Sequence, residues 1–479
     1  MKTLICAAIA VTALFANVCY AGPQYVLEVK IVVDNKAVDI YVNENTGPDS
    51  YENKRTQALV SIQEDVYYFV NQVNKLLSSF IRYGLNVEVR IKNISILRTN
   101  LFPAAALAGG DVITDSYALK YFNDYLISQQ PKPIYDFALL WTGFNLFGPG
   151  QLFTTSITRG YACNPQLSLA VVEYNATYIT ALATAQAAAF LLGASLDGAA
   201  SDYIMSPAND PADENRWNFT QCTATDIQQF VPGIIPNCLL DTSSVSIKPT
   251  FSFETYRGDL LDHNKICKRY TNNTRSFTCK SSNLYNNQDP KGDAICKRLY
   301  CALPGTPYCT PVFSSDGLIC DNRKRCDRGR CVDDSSSGSA NVDTNCVLGN
   351  QQVLDFPNFP FYGSCQQFIE KESSSMCYNR NITNLCCATC KNYKTDRQGC
   401  EYGDQNKMCA QLPLTTSCAQ QNRAVCCYTC RNYVGKRSTD EDRLVQTLKD
   451  DSHVLQHKLE EFRARARSVL DDLFNRHHA

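Results

Sequence analysis

The uneven distribution of cysteine constrains this chain of 479 residues more than any other feature. Of its 25 cysteines, three lie within residues 24–241, eight within 267–331, six within 346–390 and six within 400–430. Disulfides persist in oxidising compartments, and small cysteine-dense modules use them in place of a large core. The sequence therefore predicts one large domain followed by several small disulfide-rich modules.

The first 21 residues have the pattern of a secretory signal peptide. Lys2 supplies a positive charge, Ile5 to Phe15 form an apolar run, and small residues precede Gly22. No later run has the roughly 20 apolar residues that a membrane span needs. The net charge of −1, with both signs mixed, gives no indication of nucleic-acid binding. We therefore expect a secreted, extracellular protein without a membrane span.

Residues 22–248 are predicted to form an α/β domain with a largely parallel sheet, because strand and helix patterns alternate. Leu169–Tyr174 is expected to be an edge strand above a cleft. Gly193 is expected to end the helix Thr177–Leu192. The predicted strands are Tyr25–Asp34, Val87–Leu97, Tyr135–Gly143 and Leu169–Tyr174, and the predicted helices are Leu59–Leu77, Tyr117–Ile127 and Thr177–Leu192.

The remaining cysteines indicate three modules. A cysteine-rich module is predicted over 249–332, and a serine-rich linker over 333–345. Two repeats follow, over 346–391 and 392–433, ending in CCATCKNY and CCYTCRNY. Each repeat holds six cysteines, which allow fifteen different sets of three bridges, so the sequence does not give their pairing.

The cysteine-free tail, 439–479, has a near-heptad apolar stripe and is predicted to be helical. Such a helix either packs on the chain's own domains or forms a coiled coil that makes the protein oligomeric. Lys436 and Arg437 before it form either a dibasic processing site or an ordinary solvated loop.

The ordered motifs of the first domain resemble the reprolysin branch of the metzincin metalloproteases, which includes the secreted ADAM and ADAMTS-like proteins. The matching segments are YVLEVKIVVD, YDFALLWTG, GYACNPQLSLAVVE, the Ala-rich helix, DYIMSP and WNFTQC followed by NCLLD. The resemblance implies a metzincin-like fold, in which Met205 would occupy the Met-turn beneath the metal site. A generic Ala-rich core helix at this place is the alternative interpretation.

The active-site helix of that family carries HExxHxxGxxHD, in which three histidines bind zinc and the glutamate activates water. The corresponding segment here is QAAAFLLGASLD, so Gly193 and Asp197 match. The chain has no histidine before His263. No zinc binding and no peptidase activity are therefore expected. The three ligand positions hold Gln186, Phe190 and Leu196, and the general-base position holds Ala187.

Other family features are implied by the resemblance in the same way. Glu28, Asp136, Asp241 and the carbonyl of Cys238 match the ligands of a structural calcium ion, a hard cation that prefers oxygen. Cys163 is expected to pair with Cys238. Cys222 lacks its usual partner because Tyr203 stands at that position, which leaves a buried free thiol, the favoured interpretation, or an intermolecular bridge. Five sequons would carry glycans on surface loops, at Asn93, Asn175, Asn218, Asn272 and Asn381. Such short motifs also arise by chance.

The cysteine-rich module resembles that of ADAMTS-type proteins, and the two repeats resemble PLAC modules. Together these features predict a secreted, catalytically inactive metalloprotease homologue that binds an extracellular protein or a matrix component. One alternative is a toxin or salivary effector that binds a host protein. A second is an enzyme with an unusual site, either a metalloendopeptidase with its metal bound elsewhere or a protease with another nucleophile. No histidine of the first domain could activate a Ser or Cys nucleophile.

Overall fold

The structure is a computed structural model that describes most of the chain. The predicted signal peptide, the boundary at 248 and 249, Asp241, the dibasic pair and the tail 439–479 lie outside the described residues. The described residues are 23–44, 48–129, 135–148, 151–153, 155–197, 202–206, 215–240, 262–280, 282–285, 290–306, 308–334, 346–350 and 365–431.

The first domain is built on a five-stranded sheet in the order β2-β1-β5-β9-β8. Four of these strands are parallel, as predicted, and the short β8 pairs antiparallel with β9. The strands are β1 (Gln24–Val33), β2 (Asn86–Ile96), β3 (Leu107–Ala108), β4 (Val112–Thr114), β5 (Phe137–Thr142), β6 (Asn145–Gly148), β7 (Gln151–Phe153), β8 (Thr155–Ile157) and β9 (Leu169–Glu173), of which β3, β4, β6 and β7 form a second, small sheet.

The prediction that Leu169–Tyr174 forms an edge strand is wrong. Strand β9 lies between β5 and β8, so the three residues of β8 form the edge instead. Strand β8 is too short for an alternating apolar pattern, which is the signal that identifies a strand in a sequence.

The helices of the first domain cover both faces of the sheet. Helix α2 begins at the side chain of Ser50, which accepts a hydrogen bond from the Asn53 amide at 3.3 Å. One core cluster joins β1 to α2 and α4, and another places Phe122 and Leu126 of α3 against the opposite face. The helices are α1 (Asn35–Glu44), α2 (Tyr51–Leu77), α3 (Asp115–Ser128), α4 (Tyr178–Leu191) and α5 (Gln221–Phe230).

The cysteine-rich module consists of short helices and strands joined by four disulfides. Helix α6 (His263–Thr271) and helix α7 (Asp293–Lys297) pack against two small antiparallel sheets. The strands are β10 (Arg298–Ala302), β11 (Cys309–Phe313), β12 (Ile319–Asp321), β13 (Lys324–Asp327) and β14 (Arg330–Asp333), and the bridges are Cys267–Cys301, Cys279–Cys309, Cys296–Cys326 and Cys320–Cys331.

Asp333 and Asp334, the first two residues of the predicted linker, are held by the cysteine-rich module. Asp333 ends β14, and the Asp334 carboxylate forms an ion pair with Arg325, a contact that the sequence pattern could not indicate. The first two residues of the predicted linker therefore belong to the cysteine-rich module.

A buried arginine joins this module to the first domain. The Arg269 guanidinium of α6, 1 % exposed, donates to the carboxylates of Glu44 and Asp65 at 2.5 and 3.0 Å and to the Ala176 carbonyl at 2.9 Å. Tyr41 lies under the guanidinium, 4.7 Å from ring centre to Cζ, and its hydroxyl bonds to Asp65. Because a buried charge is stable only when it is paired and hydrogen-bonded, this network fixes α6 against α1 and α2.

The two C-terminal repeats have the same disulfide pairing. The first cysteine of each repeat pairs with the fifth, the second with the fourth and the third with the sixth. Their helices are α8 (Cys365–Glu372), α9 (Arg380–Leu385), α10 (Cys387–Tyr393) and α11 (Leu414–Ser417), and the bridges are Cys346–Cys387, Cys365–Cys386 and Cys377–Cys390 in the first repeat and Cys400–Cys427, Cys409–Cys426 and Cys418–Cys430 in the second.

Each repeat opens with a turn that the preceding module holds. In the first repeat, Lys280 donates to the Gly349 carbonyl at 2.5 Å. In the second, the Tyr378 hydroxyl donates to the Gly403 carbonyl at 2.8 Å. The contacts thus pass from the cysteine-rich module to the first repeat and from the first repeat to the second.

The fold is therefore a mixed α/β domain followed by disulfide-rich modules, with eleven disulfides among the described residues. This number of bridges is typical of proteins that fold in oxidising compartments. Within the described ranges, none of the helices combines the length and the apolar character that crossing a membrane requires.

Replacing Arg269 by methionine should destabilise the protein by about 3–5 kcal/mol, because the buried Asp65 carboxylate and the half-buried Glu44 carboxylate would lose the guanidinium that pairs with both. Urea unfolding at neutral pH measures this change. The matched control is Lys265→Met, since Lys265 lies at the partly exposed rim, 3.7 Å from Glu44, and should cost less than about 1 kcal/mol. Equal losses in the two variants would contradict the role given to Arg269.

Candidate functional site: a degenerate metal-site helix

Helix α4 and the turn after it form the segment that resembles a metzincin zinc site. The helix is apolar on all sides and almost entirely buried, as expected for a helix enclosed by the core. Gly193 ends it, as predicted, with φ of +89°. The Gly193 and Ala194 amides donate to the Phe190 and Ala189 carbonyls at 2.9 and 3.0 Å, the pattern of a Schellman motif.

Gly193 is required for a second reason. A Cβ atom at this position would lie 2.6 Å from the ring of Phe230 in helix α5. The turn is further held by Arg159, whose Nε donates to the Gly193 carbonyl at 2.8 Å, and by Asp226, which accepts from the Ser195 amide at 2.9 Å. The chain therefore turns after α4 at a fixed place, against α5.

Gln186, at the first predicted ligand position, forms a hydrogen bond to the turn that holds Ile204. Its side chain is 9 % exposed, and its Nε2 donates to the Ile204 carbonyl at 2.6 Å. Next to it, Ala187 is fully buried and offers only a methyl group. At the predicted ligand position, a hydrogen bond therefore joins the helix to the turn that holds Ile204.

Phe190 and Leu196 differ in burial. Phe190 packs against the main core, while Leu196 is 54 % exposed. Neither side chain carries a lone pair, so neither can bind a metal ion or a proton. Met205 is fully buried beside Ile204, and its carbonyl accepts from the Asp197 amide at 2.9 Å. The turn that holds Met205 is therefore attached to both ends of the segment, through Gln186 and through Asp197.

The Asp197 carboxylate accepts hydrogen bonds from the start of helix α5. Its Oδ1 accepts from the hydroxyls of Thr220 and Thr223 at 2.8 and 3.3 Å. Thr220 is also the N-cap of α5 and accepts from the Thr223 amide at 3.0 Å. The residue that matches the end of the family motif therefore joins the turn to the start of the next helix.

The residues matched to a calcium site are partly brought together. Glu28 and Asp136 lie side by side, since the Glu28 amide donates to Asp136 Oδ2 at 2.8 Å, and Cys238 begins a short turn that packs against β1. However, Lys92 Nζ lies 3.1 Å from Glu28 Oε2. A calcium ion needs several oxygen ligands. Because Asp241, the fourth predicted group, lies outside the described residues, calcium binding stays a prediction.

Sequence reasoning did not identify Lys92. A β-bulge directs the Lys92 side chain towards Glu28. Val29 pairs with Ile91 and Lys30 with Asn93, so Lys92 is the extra residue of β2. Bulges commonly redirect a side chain in this way. The available signal was the placement of acidic and basic residues on two predicted strands, but the bulge itself leaves no mark in the sequence.

Cys163 and Cys238 form a disulfide, the pair that the resemblance implies. The preferred expectation that Cys222 is buried is wrong, because Cys222 is exposed and unpaired. It lies in the first turn of α5, a helix that buries Thr223, Ala224 and Ile227 instead. The amphipathic helix thus turns this thiol towards solvent.

The five sequons occupy different settings, and not all lie on loops. Asn93 lies in strand β2, and Asn381 lies in the first turn of α9. Asn175 Oδ1 accepts from the Thr177 amide at 3.1 Å before α4. Asn218 is half-buried, whereas Asn272 is exposed at the C-terminal end of α6.

Among the described residues, the one cluster of three potential metal-ligating side chains is formed by Cys296, Cys320 and Cys331. Each of these sulfurs belongs to a disulfide. Since a metal-binding cysteine must be a thiolate, this cluster is structural.

The comparisons with known proteins give little further guidance. No family model matches the sequence, and no curated protein matches it. The structure is similar to archaemetzincin from Methanopyrus kandleri, with 14 % identity and a TM-score of 0.26, covering 43 % of this chain and 96 % of that one. It is also similar to a chain in the structure of a chaperone–substrate complex, with 13 % identity and a TM-score of 0.25, covering 37 % of this chain and 24 % of that one. This chain thus matches about a quarter of that second chain, and both TM-scores are too low for either structure to bear on the site.

Replacing Lys92 by methionine should destabilise the protein by about 1–3 kcal/mol, because Glu28 would lose its partner in a largely buried place. Thermal unfolding with and without millimolar calcium measures this change. Calcium should stabilise the variant more than the wild type, since it would supply the missing positive charge. The matched control is Lys120→Met, whose lysine is 60 % exposed. A Lys92→Met variant as stable as the control would contradict the assignment.

The exposed Cys222 should react with a maleimide in the folded protein, because its thiol is solvent-accessible. Mass spectrometry of protein beginning at Gly22 should show a single added label, and the Cys222→Ser variant should show none. A wild-type protein that resists labelling and migrates as a disulfide-linked dimer without reductant would contradict this expectation.

Proposed function

We propose that this chain is a secreted, catalytically inactive relative of the reprolysin metalloproteases and acts by binding other extracellular molecules. The observation that carries the proposal is the bond from Gln186 to the Ile204 carbonyl at 2.6 Å. It gives a structural role to a position that binds zinc in the family motif. The other motif positions, Ala187, Phe190 and Leu196, offer no group able to bind a metal ion or to activate water.

Zinc hydrolysis requires several ligands and a general base at the same time. Phe190 and Leu196 carry only carbon atoms in their side chains, and Ala187 has no carboxylate. A single replaced ligand would leave a weakened metal site, but these positions together leave none on the helix. This absence of suitable groups supports a binding role for the first domain.

Nucleophilic catalysis also lacks support in the described structure. The first histidine of the chain, His263, lies in the cysteine-rich module and is buried. Burial lowers the pKa of its imidazole to about 4, so it is neutral at physiological pH. A buried imidazole that is outside the first domain cannot serve as a general base for a Ser or Cys of that domain.

The surrounding architecture supports binding through a rigid scaffold. The Arg269 network and the bonds from Lys280 and Tyr378 connect successive modules of the chain. Rigid presentation reduces the entropy that is lost on association, so such an array suits a protein that binds a partner. An extracellular protein or a matrix component is the partner class we propose.

Metal analysis of the purified protein tests the proposal directly. We expect no stoichiometric zinc in the wild type. The variant Gln186→His, Ala187→Glu, Phe190→His and Leu196→His should bind zinc and unfold at a higher temperature when zinc is present, because a ligand bound only by the folded state stabilises it.

A matched control carries the three histidines but keeps Ala187. It should bind zinc yet cleave no peptide, since it lacks the group that activates water. Stoichiometric zinc in the wild type would overturn the proposal. A folded four-residue variant without zinc would show that α4 does not correspond to the metal-site helix.

A further inference from the structure

A cleft of about 410 Å³ lies where the first domain meets the cysteine-rich module. Basic side chains line it: Lys297 at the end of α7, and Arg328 and Arg330 at the turn between β13 and β14. Trp217 and Val332 supply its apolar surface. The degenerate helix and its turn contribute no lining residue, so this is a second site.

The electrostatic character of the cleft is positive. One acidic residue, Asp327, shares the lining with three basic residues, and Lys75 Nζ lies 2.6 Å from its carboxylate. Behind the wall, the fully buried Arg216 guanidinium lies 4.4 Å from the Trp217 ring and donates to the Lys297 carbonyl. Low-dielectric walls focus such a field, so the cleft should attract an anion.

The turn that carries the two arginines is held rigidly. The Arg328 amide donates to Asp316 Oδ1 at 2.8 Å, and Lys75 Nζ lies 3.4 Å from Asp316 Oδ2. Gly329 rests on Trp217, because a Cβ at this glycine would lie 2.5 Å from the indole nitrogen. Both arginine side chains are exposed above this fixed backbone. Arg328 Nε lies 3.8 Å from Asp327 Oδ2, a partly exposed ion pair of the kind that contributes little to stability. The fixed backbone therefore presents both guanidinium groups to a ligand at little cost in backbone entropy.

We propose that this cleft binds a sulfated polysaccharide. Arginine forms paired hydrogen bonds with tetrahedral oxyanions, and clusters of basic residues are typical of heparin-binding surfaces. The apolar part is small: Val332 and the edge of Trp217, which is 4 % exposed, offer no pocket for the side chains of a peptide. The disulfides indicate an oxidising compartment, where sulfated glycans are available as polyanions.

The sequon at Asn218 lies in the wall of the same cleft. A glycan attached there would project into the space that the polysaccharide needs. Binding should therefore be strongest when this asparagine carries no sugar, and enzymatically deglycosylated protein is the appropriate material for the measurement.

The inference does not depend on the loss of catalysis. The lining residues belong to α7, to the β13–β14 turn and to the short segment around Trp217. A peptidase and an inactive homologue could both carry this site. Failure of the zinc experiment would thus leave the cleft untouched, and failure of the binding experiment would leave the degenerate helix untouched.

The test is titration of the full-length, deglycosylated protein with a short heparin oligosaccharide by isothermal calorimetry. The double variant Arg328→Gln, Arg330→Gln should raise Kd by about tenfold or more, since two charge-assisted contacts are lost. Both side chains are exposed, so folding should be unchanged, as thermal unfolding will verify. Added salt should weaken binding to the wild type.

The matched control is Arg323→Gln, Lys324→Gln, which removes the same charge at the other turn of this three-stranded sheet. Arg323 is exposed, and Lys324 pairs only loosely with Asp333, at 3.7 Å. Its Kd should stay within about twofold of the wild type. Equal weakening in both double variants, or no weakening in either, would overturn the proposal. Tighter binding of a sulfotyrosine peptide than of the oligosaccharide would also overturn it.

Discussion

The buried guanidinium of Arg269 is the interaction on which the arrangement of the chain depends. It lies in a module with almost no core of its own, yet its partners belong to two helices of the large domain. Without it, the hydroxyl–carboxylate network of Tyr41 and Asp65 would have no counterion in a place that excludes water. The small module thus contributes the charge that the large domain lacks, and the core cluster of the large domain extends into the module.

Contacts within the first domain fix the candidate site in a similar way. The turn after α4 is held by Arg159 and Asp226, and the turn with Met205 by Gln186 and Asp197. Every one of these contacts is made by protein groups. Hydrogen bonds between protein groups therefore fix the geometry of this segment.

The sequence predicted the elements that carry strong local patterns. The strands at Tyr25 and Val87 and the helix ending at Gly193 agree with the structure to within a few residues. The first two turns of α2 were missed because Tyr51–Gln57 is largely polar and packs little, and β8 was missed because it is only three residues long.

The contacts that join distant segments could not be read in the same way. Nothing in the sequence distinguishes Arg269, Lys92 and the basic residues of the cleft from other charged residues. Their contacts form only when the sheet and the disulfides bring their partners close. The disulfide pairing of the repeats has the same origin, because six cysteines in each repeat leave fifteen combinations open until the backbone is folded. Exposure of Cys222 was misjudged because helix α5 was not predicted, and its orientation decides which side chains face water.

The turn contacts of the two repeats make the array directional. Each repeat accepts a donor from the module before it, Lys280 for the first and Tyr378 for the second. The residue of the second repeat that corresponds to Tyr378, directly after the third cysteine, is Ala419. A methyl group cannot donate a hydrogen bond, so the second repeat does not carry at this position the donor with which the first repeat holds its neighbour. The two repeats therefore share their disulfide pairing but differ in the side chain that makes this contact between them.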